Sequence, residues 1–163
     1  MKKDRLTILM IIVAIFLCAC SRMPGKNENA IHFYYYQPSQ NSAKAVMGTE
    51  LYTPKDADFG LQSIIKAYLK GPQNTDLQLL FPKETTIVEL IKEDDLLTVT
   101  LSKHCANMSR IDLTVSCSCL ARTLLPITSA TQICIQADGG FSNVEDPLIF
   151  TEDTILTEDP IVQ

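Results

Sequence analysis

Two hydrophobic periods alternate along the chain and divide it into elements. Leu61, Ile64, Ile65, Tyr68 and Leu69 recur at helical spacing, with Gln62, Ser63, Lys66 and Lys70 off the stripe, which predicts an amphipathic helix. Asp58 is a fair N-cap for it, and Gly71-Pro72 stops it, because Gly accepts the left-handed closing conformation and Pro cannot donate to the ladder. A second helix is predicted from about Asp112 to Leu125. Its stripe is Leu113, Ser116, Cys117, Leu120, Ala121 and Leu124, Pro126 ends it, and Ser109 and Asp112 have capping-box spacing. Period two marks the strands. His32–Gln37 is dense in aromatics and bounded by Pro38-Ser39, and a shorter strand lies near Leu51-Tyr52. Thr86–Ile91 and Leu96–Ser102 flank the polar run Lys92-Glu93-Asp94-Asp95 and read as a hairpin, with Leu97, Val99 and Leu101 facing one way and Thr98, Thr100 and Ser102 the other. Gln132–Ala137 is a last strand ending in the turn Asp138-Gly139-Gly140. The principal order, βαββαβ, predicts an α+β fold in which two helices pack on one face of a small mixed sheet.

The start of the chain has a different pattern. Lys2, Lys3 and Arg5 precede a run from Leu6 to Leu17, and Leu17-Cys18-Ala19-Cys20 follows. The run is too short for a comfortable span of ~20 residues, and the small Ala19 before a cysteine suits cleavage ahead of Cys20, as in a bacterial lipoprotein signal. Cys20 would then carry a diacylglyceryl group. At ~0.8 kcal/mol per buried methylene, two chains hold a protein on a membrane where one does not. Residues 1–19 therefore read as a signal peptide and 20–30, polar with Pro24 and Gly25, as a tether. The domain proper is expected over 31–144 and a mostly solvated acidic tail over 145–163, where Glu145-Asp146-Pro147-Leu148-Ile149 and Glu158-Asp159-Pro160-Ile161-Val162 echo each other and one of the two could add an edge strand.

Charge narrows the partners. Removing residues 1–19 takes three bases and one acid away, leaving 11 basic against 18 acidic residues, and no base follows Arg122. Such a chain lacks the clustered Lys and Arg that a nucleic-acid ligand needs.

Candidate chemistry is sparse. Cys105, Cys117, Cys119 and Cys134 remain after processing; outside the membrane they could pair in three ways or stay reduced as small buried hydrophobes. His104-Cys105 with Cys117-x-Cys119 supplies soft metal ligands, but residues 117 and 119 of a helix point about 200° apart, which opposes a shared ion. His32 and His104 stand in no recognisable triad, and the acids of Glu93-Asp94-Asp95 lie in a turn-like polar run and read as solvated, whereas a general acid needs burial. No cofactor, metal or catalytic residue is expected. Tyr34-Tyr35-Tyr36 is the best feature for an alternative role in binding a small ligand or wall polymer, since exposed rings stack on sugars.

From Phe59 to Gly139 the chain resembles the GerMN domain of bacterial sporulation and spore-germination proteins. The resemblance is carried by Tyr68-Leu69-Lys70-Gly71-Pro72, by Phe81-Pro82-Lys83-Glu84-Thr85 leading into a Val/Ile strand, by Leu97–Ser102, by the helix with Thr123-Leu124, and by the closing Ala137-Asp138-Gly139. The four cysteines depart from the family pattern, and one module stands where some relatives have two. The resemblance implies a compact module akin to ring-building motifs, working by domain contacts without chemistry. The expected protein is a lipid-anchored, extracytoplasmic contact module on the outer face of the cytoplasmic membrane. Its expected partners are that membrane, envelope proteins and a second copy of itself, in sporulation or germination.

Overall fold

The computed structural model describes residues 29–38, 46–55, 60–144 and 147–155. Cys20, Asp58, the signal segment and the second acidic stretch lie outside the described residues.

Ile31–Gln37 (β1) pairs antiparallel with Val46–Tyr52 (β2), and helix α1 spans Leu61–Tyr68. Gly60 occupies the N-cap of α1 without a side-chain cap, and Gly71 takes φ 87° just beyond the end, as the Gly-Pro stop requires. The buried side of α1 is Ile64, Ile65 and Tyr68, each such burial stabilising the fold by about 1.5–3 kcal/mol. Ile87–Glu93 (β3) and Leu96–Leu101 (β4) form the expected hairpin. Its two-residue turn puts Asp94 at φ 48°, a left-handed conformation that Asp tolerates better than most residues.

The chain then crosses through Arg110–Leu124 (α2) to Gln132–Ala137 (β5), which lies parallel to β4. The cap of α2 is as expected: Ser109 Oγ accepts from Asp112 N at 3.1 Å and donates to Asp112 Oδ2 at 2.8 Å. Gly139 and Gly140, both at positive φ, turn the chain after β5. Leu148–Phe150 (β6) then adds antiparallel to β5, completing the order β3-β4-β5-β6.

The fold is α+β, with two sheets in place of the single one expected. The far edge of β1 is occupied by other partners: Tyr34 N donates to Thr123 Oγ1 of α2 at 3.0 Å, and Tyr36 O accepts from Gln78 N at 2.8 Å. The β1–β2 hairpin stands apart from the main sheet, and β1 is not available to join it. It packs on α2, and the main sheet contacts the same helix through β5 and β6. This explains why α2 is buried well beyond its expected stripe: Val115, Ser118, Cys119 and Thr123 are as hidden as Leu113, Leu120 and Leu124.

The sheet also runs beyond residue 144. Phe150 and Ile155 are in the core, so the beginning of the stretch expected to be a solvated tail is packed structure.

Candidate functional site

The aromatic run of β1 builds a cluster. Phe33 and Tyr35 point inward, and Phe33 stacks on Tyr52 with ring centroids 4.6 Å apart. Tyr35 stacks on Tyr68 of α1 at 4.7 Å, and Phe33 meets the Tyr68 ring edge-on at 5.6 Å. Tyr34 and Tyr36 are half-buried; the Arg122 guanidinium sits 5.0 Å from the Tyr34 ring centre. No tyrosine of the run stands out as an exposed stacking platform for a ligand. Burial raises the phenol pKa of Tyr35, with the nearby Glu50 carboxylate adding to it, and burial raises that of Tyr68 well above the usual range. The Glu50 carboxylate on β2 accepts from the backbone N–H groups of Gln73 (2.9 Å) and Asn74 (2.8 Å), fixing the loop after α1. Glu50 gave no signal in the sequence, because it lies in a turn-rich stretch with no regular spacing.

The four cysteines are free thiols, all buried. Burial pushes the Cys105 thiol up to about 11 and the Cys119 thiol up to about 12, the latter despite an opposing effect of Arg122. Burial raises the Cys117 thiol well above its ordinary value, and the neighbouring Cys105 and Cys119 add to the rise. Cys134, on β5, is raised by burial and partly compensated by a hydrogen bond with Thr98. Nucleophilic and metal-binding chemistry both need thiolate, so at neutral pH these are small hydrophobic groups. Cys105 Sγ donates to Ser102 O at 3.2 Å.

The histidines do not converge. His32 is exposed at the start of β1, and His104 is exposed beyond β4 with Nδ1 3.2 Å from Ser102 Oγ. Ser102 Oγ also accepts from Thr86 N at 3.1 Å, so this contact fastens the end of the hairpin. Among the described residues no group of three or more His, Cys, Asp or Glu converges to hold a metal ion.

The main sheet also has a second face, opposite Leu97, Val99 and Leu101. Its register aligns Ile91, Thr98, Cys134 and Ile149 in one row across four strands. Ile91 and Ile149 at the two ends are 39% and 52% exposed.

The arrangement of these elements matches known structures. The first GerMN domain of the sporulation protein GerM from Bacillus subtilis superposes with a TM-score of 0.52 at 18% identity, over 76% of this chain and 98% of that one. The domain has a GerMN-like fold. The tandem GerMN domains of the same protein give a TM-score of 0.54 at 17% identity over 73% of this chain, which spans 43% of the tandem chain. A candidate lipoprotein from Clostridium perfringens gives 0.48 at 19% identity, over 80% of this chain and 95% of that one. No protein-family model matches the chain, and no curated protein matches it in sequence. The GerMN-like domain thus combines the order of elements read from the sequence with a packing in which one helix lies against both sheets.

Proposed function

We propose that the protein is a lipid-anchored, extracytoplasmic module of the bacterial envelope that acts by protein–protein contact, without chemistry of its own, in sporulation or spore germination. The observation that carries this reading is the pairing of a lipoprotein-type start, ending in Leu17-Cys18-Ala19-Cys20, with a fold like that of the GerM domains. Cys20 is the acylated residue, so the domain stands on the outer face of the cytoplasmic membrane behind a tether of about ten residues. The buried, protonated thiols and the separated histidines support a role in contact over catalysis.

Cross-linking and capture of the mature protein from membranes of sporulating and vegetative cells, with mass spectrometry of partners and of the N-terminal peptide, tests the proposal. We expect a diacyl-modified Cys20 peptide and envelope proteins among the captured species. An unmodified N-terminus would remove the anchor. Muropeptides in place of proteins would replace contact with wall binding.

A further inference from the structure

A groove of about 720 Å³ lies where the end of α1 meets the chain leading into β3. Leu69, Leu79 and Phe81 line it, and Lys66, Lys70 and Lys83 project around it from exposed positions. Among the described residues no acid lines the groove. Three of the eight lysines and arginines among the described residues therefore meet at one apolar site on an acidic protein. Lys66 and Lys70 also complement the carbonyl end of α1, but Lys83 comes from a different segment and owes nothing to that helix.

Two further observations point to an occupant with backbone-like polarity. Thr85 lines the same groove at 3% exposure, and its hydroxyl is buried with no hydrogen-bond partner among the described residues. A buried hydroxyl left unpaired costs stability, so its retention beside an open groove calls for a partner. The groove also opens at the start of β3, whose outer edge pairs with no strand among the described residues. A free strand edge beside a helix is a place where an extended peptide adds its backbone while its side chains enter neighbouring pockets.

We infer that this groove binds an acidic, extended peptide segment of a partner protein. One apolar side chain of the segment lies over Leu69, Leu79 and Phe81, and its carboxylates face Lys66, Lys70 and Lys83. Peptide is favoured over an anionic membrane by the rest of the charge. A peptide touches the groove alone, within the ~8 Å screening length, whereas a bilayer would also meet other parts of the domain, where eleven acids outnumber the five remaining bases among the described residues. The inference deepens the contact-module reading, on which it rests, by naming one contact surface and the chemistry of what it takes.

The test is fluorescence anisotropy of a labelled Glu-Glu-Asp-Leu-Ile-Val peptide with the full mature protein, alongside the Lys66→Gln/Lys70→Gln/Lys83→Gln variant. The three lysines are exposed, so the variant is expected to fold, and circular dichroism checks that it does. Binding to the wild type that weakens about tenfold in the variant, and loses most of its salt dependence, is expected for the removal of three surface charge contacts together. Amide shifts on peptide addition should centre on Leu79, Thr85 and Thr86. Equal binding of wild type and variant, or of a peptide with Lys in place of its acids, would overturn the inference. So would phosphatidylglycerol vesicles that bind through these lysines while the peptide does not. If the variant captures the same envelope proteins as the wild type and the peptide does not bind, the groove fails and the contact-module reading stands. If neither protein captures an envelope partner, the contact-module reading fails on its own account.

Discussion

Tyr35 donates its hydroxyl hydrogen to the carbonyl oxygen of Tyr68 at 3.0 Å while the two rings stack, so a strand residue closes the last turn of α1. The Tyr68 carbonyl also accepts from Gly71 N at 3.0 Å. Tyr35→Phe keeps the stack and removes one of two bonds to that carbonyl, and should cost about 1 kcal/mol of unfolding free energy. Tyr35→Ala also empties a fully buried site and should cost about 3–5 kcal/mol. Equal losses for the two variants, measured by urea unfolding, would mean that the stack contributes nothing.

The cap of α2 gives a second expectation. Ser109→Ala removes the acceptor for Asp112 N and should lower stability by about 1 kcal/mol, shifting the urea midpoint without altering the slope. Ser109→Asp, which restores an acceptor, should recover most of the loss. An unchanged midpoint in the Ala variant would show that the first turn is held by packing alone.

Phe150 decides where the folded domain ends. It is 5% exposed on β6, so Phe150→Ala should cost about 3–5 kcal/mol, against less than about 0.5 kcal/mol for a residue on a solvated tail. A small effect in thermal unfolding would return the segment to the tail.

Stability should fall at alkaline pH. The thiols of Cys105 and Cys119 rise on folding from about 9 to about 11 and about 12, and burial also raises Tyr35 and Tyr68. Above pH about 9 the unfolded chain loses these protons before the folded one, so the unfolded state binds fewer and stability declines. For the reduced protein, this contribution is fully present below pH about 9 and is lost as pH rises through about 11–12. Cys119→Ala should flatten the decline, read as urea midpoint against pH. A level midpoint to pH 11 would contradict the burial of these groups.

Helix α1, the β3–β4 hairpin and the cap of α2 were legible because each rests on a local rule: one apolar stripe, two alternating strands, one Ser three residues before an Asp. The second buried side of α2 was not. Ser118, Cys119 and Thr123 are small and weakly polar, which lets β1 approach closely and leaves little hydrophobic signal to read. The separation of the β1–β2 hairpin depended on Thr123 Oγ1, which accepts from Tyr34 N while donating to Cys119 O at 3.0 Å, and no periodicity announces such a bond. The three groove lysines were visible individually. Their convergence needed the 77–86 segment to fold back against the end of α1, a long-range fact with no local cause.

The position of β1 has a mechanical consequence. Any pull on the residues before Ile31 enters the domain through this strand, whose first residue pairs with Tyr52 at the far end of β2. That end would peel one ladder bond at a time, and the peeling front would soon meet the Phe33–Tyr52 stack and then the Tyr34 bond to α2. These contacts, at residues 33 and 34, would set the force at which the domain begins to open, independently of how much heat or denaturant the whole fold withstands.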